Sequence, residues 1–140
     1  MPSAISCKSL TGNRDHRRFE QTPRLHMIGN AHLDPGWLWR WPEGCAEAIG
    51  ACWAAVDMLE ENPEVIFTRG EAHVYRWIEE MEPAIFARIR ELVRAGRWAI
   101  VNGWWVQPDC NLPSGEAFIR QALYGKAYPC DAAPLPRRRV

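Results

Sequence analysis

GRWAIVNGWWVQPDCNLPSGEAFIRQALYGKAY, residues 96–128, contains a strand, a polar loop and a helix in succession. The short apolar run Trp98–Val101 has the length of a buried strand. The loop Asn102–Pro113 follows it, and Ser114 is well placed to cap an amphipathic helix. A strand that leads through a loop into a helix is the unit from which parallel α/β sheets are built.

The chain before this block repeats the same alternation of strands and helices. A buried strand is predicted at Leu25–Asn30 and a second strand at Val65–Thr68. Helices are predicted at Gly44–Glu61, at Glu71–Glu80 and from Pro83 to Gly96. The order β-α-β-α-α-β-α predicts an α/β fold with parallel strands and crossover helices. In such folds the reactive groups gather at the carboxyl ends of the strands.

Length and charge restrict the class of protein. The 140 residues suffice for one modest domain, and 47% of them are apolar, enough for a buried core. Lys and Arg number 17, as do Asp and Glu, so the net charge of zero gives no general attraction to nucleic acid or anionic membranes. No stretch approaches the roughly 18 apolar residues of a membrane span. Residues 1–24 lack the apolar segment of a secretory signal and are predicted to be a disordered leader. We therefore expect a cytoplasmic protein with neither a nucleic acid nor a membrane partner.

The cysteine and tryptophan contents carry different information. Five scattered cysteines without a CxxC pair predict reduced thiols, and not a disulfide framework or a thiolate zinc site.

Eight tryptophans are several times ordinary usage, and three of them lie in the loop Ala31–Pro42. Indoles commonly fill cores, but they also stack on sugar rings, and a loop this aromatic is unfavourable to expose without a purpose. The excess is therefore compatible with a carbohydrate site.

The first loop after a strand places His32 and Asp34 two residues apart. In an extended chain both side chains point the same way, so an imidazole nitrogen and a carboxylate oxygen can reach one divalent ion such as Zn²⁺. An HxD pair alone is a weak signal, because most such pairs are a turn-capping Asp beside a half-buried His. The loop Asn102–Pro113 has a similar composition, with Gly103, two tryptophans, and Asp109 directly after Pro108. Both loops follow strands and should open on the same face.

Three segments carry a resemblance to a known family: HLDPGWLW (His32–Trp39), VYRWIEEMEP (Val74–Pro83) and the block at residues 96–128. Together, Leu25–Tyr128 is similar to the start of the catalytic domain of the glycoside hydrolase family 38 α-mannosidases. The third block is the specific signal, because it matches the cytosolic, bacterial and vacuolar branch over many consecutive positions. The resemblance implies the first strands and helices of a seven-stranded β/α barrel.

The resemblance also implies a metal-dependent, retaining α-mannosidase that hydrolyses terminal α-mannosidic bonds of oligosaccharides or glycans. In such an enzyme His32 and Asp34 would bind one divalent metal, Zn²⁺ or alternatively Co²⁺. Asp109 would bind the same metal and act as the nucleophile, and Trp37 would line the sugar site. The covalent mannosyl-enzyme formed on Asp109 would be released by water with net retention. The implied partner is a mannose-containing oligosaccharide.

The chain departs from the family pattern at several positions. The family's general acid and its fourth protein ligand, a histidine, lie downstream of the matching region, so no general acid/base is predicted in this chain. Gln107 stands where relatives often carry Glu. His73 is interpreted as an ordinary surface or packing histidine within a helix and not as a substitute ligand. Glu43, Glu71 and Glu116 are candidates for the general acid by their chemistry alone. They are interpreted as helix-start residues favoured by the helix dipole.

The last residues, 129–140 (PCDAAPLPRRRV), form a tail without family resemblance. We interpret the tail as the product of a frameshift or premature stop, which would leave a partial barrel with open sheet edges and marginal stability. Two alternatives stay open. One is an inactive remnant that binds metal or sugar weakly, and the other is a deacetylase-type hydrolase with an HxD metal site. The second alternative leaves the similarity of residues 96–128 unexplained.

Overall fold

A computed structural model describes residues 25–132, without the side chains of residues 129–132. Its element order is the predicted one. The strands are β1 (Gly29–Asn30), β2 (Phe67–Arg69) and β3 (Trp98–Ile100), and the helices are α1 (Trp41–Glu61), α2 (Ala72–Met81), α3 (Pro83–Arg94) and α4 (Gly115–Ala132). The predicted leader, residues 1–24, and most of the predicted tail, residues 133–140, lie outside the described residues.

The three strands form one parallel sheet in the order β1-β2-β3. Gly29 pairs with Phe67, and Phe67 pairs with Trp98. Helix α1 provides the crossover from β1 to β2, and α2 with α3 provides the crossover from β2 to β3. The predicted α/β class with parallel strands is confirmed. Three strands make an open sheet in the described part of the chain, so the seven-stranded barrel stays a prediction.

The core lies where α1, α2 and α3 pack together and against the sheet. Trp98 of β3 is 1% exposed, and its ring lies 4.7 Å from that of Phe67 in β2. Its indole N–H donates to the hydroxyl of Tyr75 in α2 at 2.9 Å. A buried indole needs such a partner, because an unpaired polar group inside the core is unfavourable. The apolar side chains around this centre are Ala48, Cys52, Val56, Leu59, Val74, Ile78, Ile85 and Ile89.

The first strand is shorter and more exposed than predicted. Of the predicted strand Leu25–Asn30, only the last two residues pair in the sheet. Leu25, Met27 and Ile28 are 87%, 89% and 69% exposed, so the prediction of a buried strand is wrong. The physical reason is that Leu25, Met27 and Ile28 precede the two residues that pair with β2, so they lie outside the sheet on which the core helices pack. An apolar run locates a strand, but burial depends on what packs over it.

Other element boundaries differ from the predictions by a few residues. Helix α1 begins at Trp41 and not at Gly44, because Pro42 fits the first helical turn. Strand β2 extends to Arg69, which brings that side chain into the sheet. Helix α3 ends at Arg94, before Gly96. None of the helices within residues 25–132 is long and apolar enough to cross a membrane.

Cys45, Cys52 and Cys110 are free thiols, as predicted. Cys45 and Cys52 are buried on α1. Burial raises the pKa of Cys52 to about 11, which keeps the thiol protonated and unreactive at neutral pH. Both buried thiols therefore act as small apolar core residues.

Helix α4 supports the loop that follows β3. The hydroxyl of Ser114 accepts the N–H of Ala117 at 3.3 Å, the predicted cap. Further along the helix, Gly125 lies directly on the loop backbone. A β-carbon added at Gly125 would stand 2.2 Å from the carbonyl oxygen of Gly103, so this approach requires glycine. The backbone of α4 thus fixes the position of the loop that carries Asp109 relative to the helix.

Candidate functional site

The loops after the three strands meet at the carboxyl edge of the sheet. His32 and Asp34 follow β1, Glu71 follows β2, and Gln107 lies in the loop after β3. Nδ1 of His32 is 3.1 Å from Oε1 of Gln107, a contact that joins the first loop to the third. The two loops singled out in the sequence therefore open on the same face, as expected for loops that follow parallel strands.

His32 and Asp34 lie side by side in this edge. Nε2 of His32 is 3.2 Å from Oδ1 of Asp34, and the side chains are 58% and 46% exposed. Because Oε1 of Gln107 can only accept, Nδ1 of His32 carries the proton, and Nε2 presents its lone pair to the carboxylate. Two acceptors at this distance repel each other unless a positive charge lies between them. The lone pairs of Nε2 and Oδ1 therefore converge on a point that a shared metal ion could occupy.

The distance between Nε2 of His32 and Oδ1 of Asp34 suits two ligands of one metal ion. Zn²⁺ lies about 2.0–2.1 Å from nitrogen and oxygen ligands, so tetrahedral geometry puts two ligands about 3.3 Å apart. The observed separation of Nε2 and Oδ1 is 3.2 Å. A ligating histidine commonly donates its other ring N–H to a nearby acceptor, which fixes the tautomer. Gln107 stands in that position beside His32.

Asp109 is not joined to this pair. Its Oδ1 accepts the N–H groups of Asn111 and Leu112 at 2.7 and 3.2 Å, so the carboxylate closes a turn in an exposed loop. Among the side chains of residues 25–128, no group of three or more His, Cys, Asp and Glu is arranged to hold a metal ion. The structure thus brings together His32 and Asp34, and Asp109 stays a predicted ligand and nucleophile.

The tryptophans of the loop after Asp34 differ in their surroundings. Trp37 is 69% exposed, as a residue that stacks on a ligand requires. Trp39 donates its indole N–H to the carbonyl oxygen of Asp34 at 3.1 Å and so shapes the loop. Helix α1 supports the same loop, since a β-carbon at Gly44 would lie 2.5 Å from the carbonyl oxygen of Pro35. The role of Trp37 in a sugar site stays a prediction.

A buried ion pair that the sequence did not predict adjoins the His32–Asp34 pair. Arg69 is 1% exposed and donates from Nη2 to Oε2 of Glu71 at 3.2 Å. Glu71 does start α2, as interpreted, but its side chain makes no capping hydrogen bond and is buried. The signal that would have found it is the sequence Arg69-Gly-Glu71, two opposite charges at the end of a predicted buried strand.

Glu71 is held in an unusual environment. Burial raises the pKa of its carboxyl group; the charges of Arg69 and His32 oppose the rise, and that of Asp34 adds to it. The backbone of Glu71 has φ 64° and ψ 88°, and Asn102 at the end of β3 also has a positive φ of 56°. Non-glycine residues in the left-handed region persist only where the surroundings fix them. Strained backbone therefore follows two neighbouring strands at this edge.

The remaining candidates from the sequence have structural roles. His73 is buried in α2, donates from Nδ1 to the carbonyl oxygen of Trp105 at 2.9 Å and packs edge-on to Trp77. Burial lowers the pKa of His73, so the neutral ring is favoured. Its interpretation as a packing histidine is confirmed. Glu43 and Glu116 are exposed in the first turns of α1 and α4, where the helix dipole favours a carboxylate.

Comparison with known proteins places the chain in a family. The model of the glycosyl hydrolases family 38 N-terminal domain matches residues 22–132. The chain belongs to glycosyl hydrolase family 38. The family 38 match contains every site residue described above, and it confirms the resemblance carried by the three sequence segments.

Individual family 38 relatives are α-mannosidases. The chain is 36% identical over 109 residues to alpha-mannosidase 2C1 of Homo sapiens, covering 78% of this chain and 10% of that protein. It is 37% identical over 112 residues to alpha-mannosidase G of Dictyostelium discoideum, with the same coverage of 78% and 10%. The crystal structure of an alpha-mannosidase from Enterococcus faecalis V583 matches with a TM-score of 0.65 and 21% identity, over 75% of this chain and 12% of that chain. That likeness shows the shared fold. The chain spans about a tenth of the length of the curated relatives it matches.

Proposed function

We propose that this chain forms part of the active site of a metal-dependent retaining α-mannosidase, which hydrolyses terminal α-mannosidic bonds of oligosaccharides or glycans. The observation that supports this most directly is the His32–Asp34 pair. Nε2 of His32 and Oδ1 of Asp34 are 3.2 Å apart, and Gln107 orients the histidine ring. Relatives that carry the name α-mannosidase supply the reaction and the substrate class. A deacetylase-type hydrolase is set aside because the chain belongs to family 38.

In this proposal Nε2 of His32 and Oδ1 of Asp34 hold one divalent metal, Zn²⁺ or Co²⁺. When bound, such a metal polarises sugar hydroxyls and stabilises charge in the transition state. Gln107 accepts Nδ1–H of His32 and so keeps the Nε2 lone pair directed at the metal position. Trp37 offers an exposed indole face on which a pyranose ring can stack.

Asp109 is the proposed nucleophile and a further metal ligand. Its carboxylate would attack the anomeric carbon as the glycosidic bond breaks, and water would then open the mannosyl ester with net retention of configuration. The two N–H donors on Oδ1 orient the carboxylate and leave Oδ2 as the attacking oxygen. Retaining hydrolysis also needs a second carboxyl group about 5 Å away, and we propose no residue of this chain for it.

Because we propose no general acid in this chain, the test uses an aryl α-mannoside, whose phenolate can leave without being protonated. The purified chain is assayed with and without added Zn²⁺ or Co²⁺. Turnover should depend on the metal, and Asp109→Asn should lower kcat by about a thousandfold or more, as expected for loss of a nucleophile. Glu116→Gln, in the exposed first turn of α4, is the matched control and should leave the rate unchanged. Equal rates for Asp109→Asn and the wild-type chain would overturn the assignment of the nucleophile.

A second candidate is a non-catalytic chain that binds metal or sugar. The observation in its favour is that Asp109 closes a turn and stands apart from His32 and Asp34 within the described residues. Equilibrium dialysis against Zn²⁺ separates the two candidates when it is combined with the rate assay. Metal binding without turnover supports the second candidate, and metal-dependent turnover excludes it.

A further inference from the structure

Arg69 connects the end of β2 to the loop that carries His32. Its Nη1 donates to the carbonyl oxygen of Ala31 at 2.5 Å, and Ala31 directly precedes His32. Its Nη2 donates to Glu71, so one guanidinium bridges two loops. A planar fork with several donors can make both contacts at once, whereas the single ammonium of a lysine is a poor substitute.

Arg69 and Glu71 are each hydrogen-bonded to a neighbouring element as well. The carbonyl oxygen of Arg69 accepts the hydroxyl of Tyr75 at 2.8 Å, and that hydroxyl accepts the indole N–H of Trp98. The backbone N–H of Glu71 lies 3.5 Å from Oδ1 of Asn102, which also accepts the N–H of Trp104 at 3.2 Å. The ends of all three strands are therefore tied together through Arg69 and Glu71.

Stability alone does not account for this ion pair. Taking two charges out of water is unfavourable, and apolar residues of similar volume are often equally or more stabilising in such places. The pair is buried, with side chains 1% and 6% exposed, and it lies within electrostatic reach of the exposed His32 and Asp34. A role in setting the geometry of those two residues fits its location better.

We propose that Arg69 and Glu71 are positioning residues, which hold the carbonyl of Ala31 and thereby fix His32 and Asp34 at a spacing that a metal can bridge. Arg69 makes the contact with the loop, and Glu71 holds the guanidinium in place. As far as metal binding is concerned, this inference rests on the proposed function. The fixed conformation of the loop is a property of the metal-free chain and is testable without a metal.

The decisive variant is Arg69→Met combined with Glu71→Gln. It removes both charges, so no unpaired charge stays in the core, and the chain should unfold at the same urea concentration as the wild type or a higher one. Amide hydrogen exchange of residues 31–34 should nevertheless accelerate severalfold, with exchange in α1 and α3 unchanged. Unchanged exchange at residues 31–34, acceleration spread evenly over the core helices, or loss of the fold would each overturn the proposal.

The second measurement is Co²⁺ binding, followed by visible absorption. The double variant and the single variant Glu71→Gln should bind Co²⁺ about 10–100-fold more weakly, the usual effect of losing a group that orients a metal ligand. The control Glu80→Gln removes an exposed ion pair with Arg76 from the same helix and should bind like the wild type. Wild-type affinity in the double variant would contradict the proposal. A wild-type chain that binds no Co²⁺ would contradict the proposed metal site, and hydrogen exchange would still decide the positioning role.

Discussion

Gln107 is the residue on which the chemistry of His32 depends most directly. Its amide oxygen accepts Nδ1–H and so leaves Nε2 as the nitrogen that faces Asp34. An amide is a weaker acceptor than a carboxylate would be at this position, because it bears no charge. Gln107 should therefore make His32 a weaker metal ligand than a glutamate there would, with the same ring orientation.

Substitutions at Gln107 test this dependence. Gln107→Leu removes the acceptor and should weaken Zn²⁺ or Co²⁺ binding about 10–100-fold. Gln107→Glu, the matched variant, keeps the acceptor and adds a negative charge, so it should strengthen binding. Isothermal titration of the metal into each chain gives the affinities. The orienting role is wrong if the Leu and Glu variants bind the metal equally well.

His73 is the residue that should link stability to pH. Burial lowers its folded pKa below the ordinary value of about 6.5, so its contribution to stability is complete above pH 6.5. As the pH falls towards the lowered pKa, the unfolded chain takes up the proton and the contribution is lost, at most about 1.4 kcal/mol per pH unit. His73→Asn keeps a donor near Trp105 but cannot titrate, so its free energy of unfolding should fall less between pH 7 and pH 5.

Urea unfolding at several pH values measures this difference. His26→Asn is the control for the substitution itself, because His26 is exposed and lies outside the core. Parallel curves for wild type and His73→Asn would show that His73 does not titrate in this range.

At the scale of elements, the packing of α4 on the loop after β3 leaves no room for a β-carbon at Gly125. Gly125→Ala would place a β-carbon 2.2 Å from the Gly103 carbonyl oxygen and 2.4 Å from the carbonyl carbon of Trp104, both backbone atoms that cannot turn away. We expect a loss of about 1–3 kcal/mol in the free energy of unfolding, measured with urea, as is typical of overpacking.

Gly50→Ala provides the contrasting change in α1. Gly50 is exposed, and a β-carbon there would meet nothing within 4 Å. Replacing a glycine in a helix interior by alanine should stabilise the chain by roughly 0.5–1 kcal/mol. If both alanine variants changed stability in the same direction, the close contact at Gly125 would not govern the packing of α4.

The sequence predicts the elements well where periodicity is strong and poorly where neighbours decide. The order of strands and helices, and the cap at Ser114, follow from local patterns. The exposure of β1 does not, because it depends on which elements cover the strand. For the site, spacing alone brings His32 and Asp34 together, whereas the contact between Arg69 and the loop before His32 joins residues 38 positions apart. No local pattern records such a pairing.

At the scale of the whole molecule, the described surface carries large apolar side chains. On α4, Ile119, Leu123 and Tyr124 are 57%, 63% and 58% exposed, and Leu112 before it is 84% exposed. Clustered apolar groups and an edge strand both promote association in water. We therefore expect the chain to self-associate as its concentration rises.

Sedimentation velocity over a range of concentrations measures this tendency. Ile119→Ser combined with Leu123→Ser should shift the chain towards the monomer, since both side chains are exposed and their loss leaves the core intact. Ala54→Ser, at an exposed position of α1, is the control and should sediment like the wild type. A wild-type chain that stays monomeric at all concentrations would show that this apolar surface does not drive association.

The unequal burial of the tryptophans makes the chain its own optical probe. Trp98 is enclosed and hydrogen-bonded to Tyr75, whereas Trp37 is 69% exposed in the loop after Asp34. Enclosed indoles emit at shorter wavelengths than solvated ones and are shielded from quenchers such as iodide. Red-edge emission that a sugar protects from iodide would therefore report occupancy near the exposed tryptophans that follow Asp34, chiefly Trp37 and Trp41. Blue-edge emission would follow unfolding of the core. One fluorescence titration can thus separate ligand binding from loss of structure without any attached label.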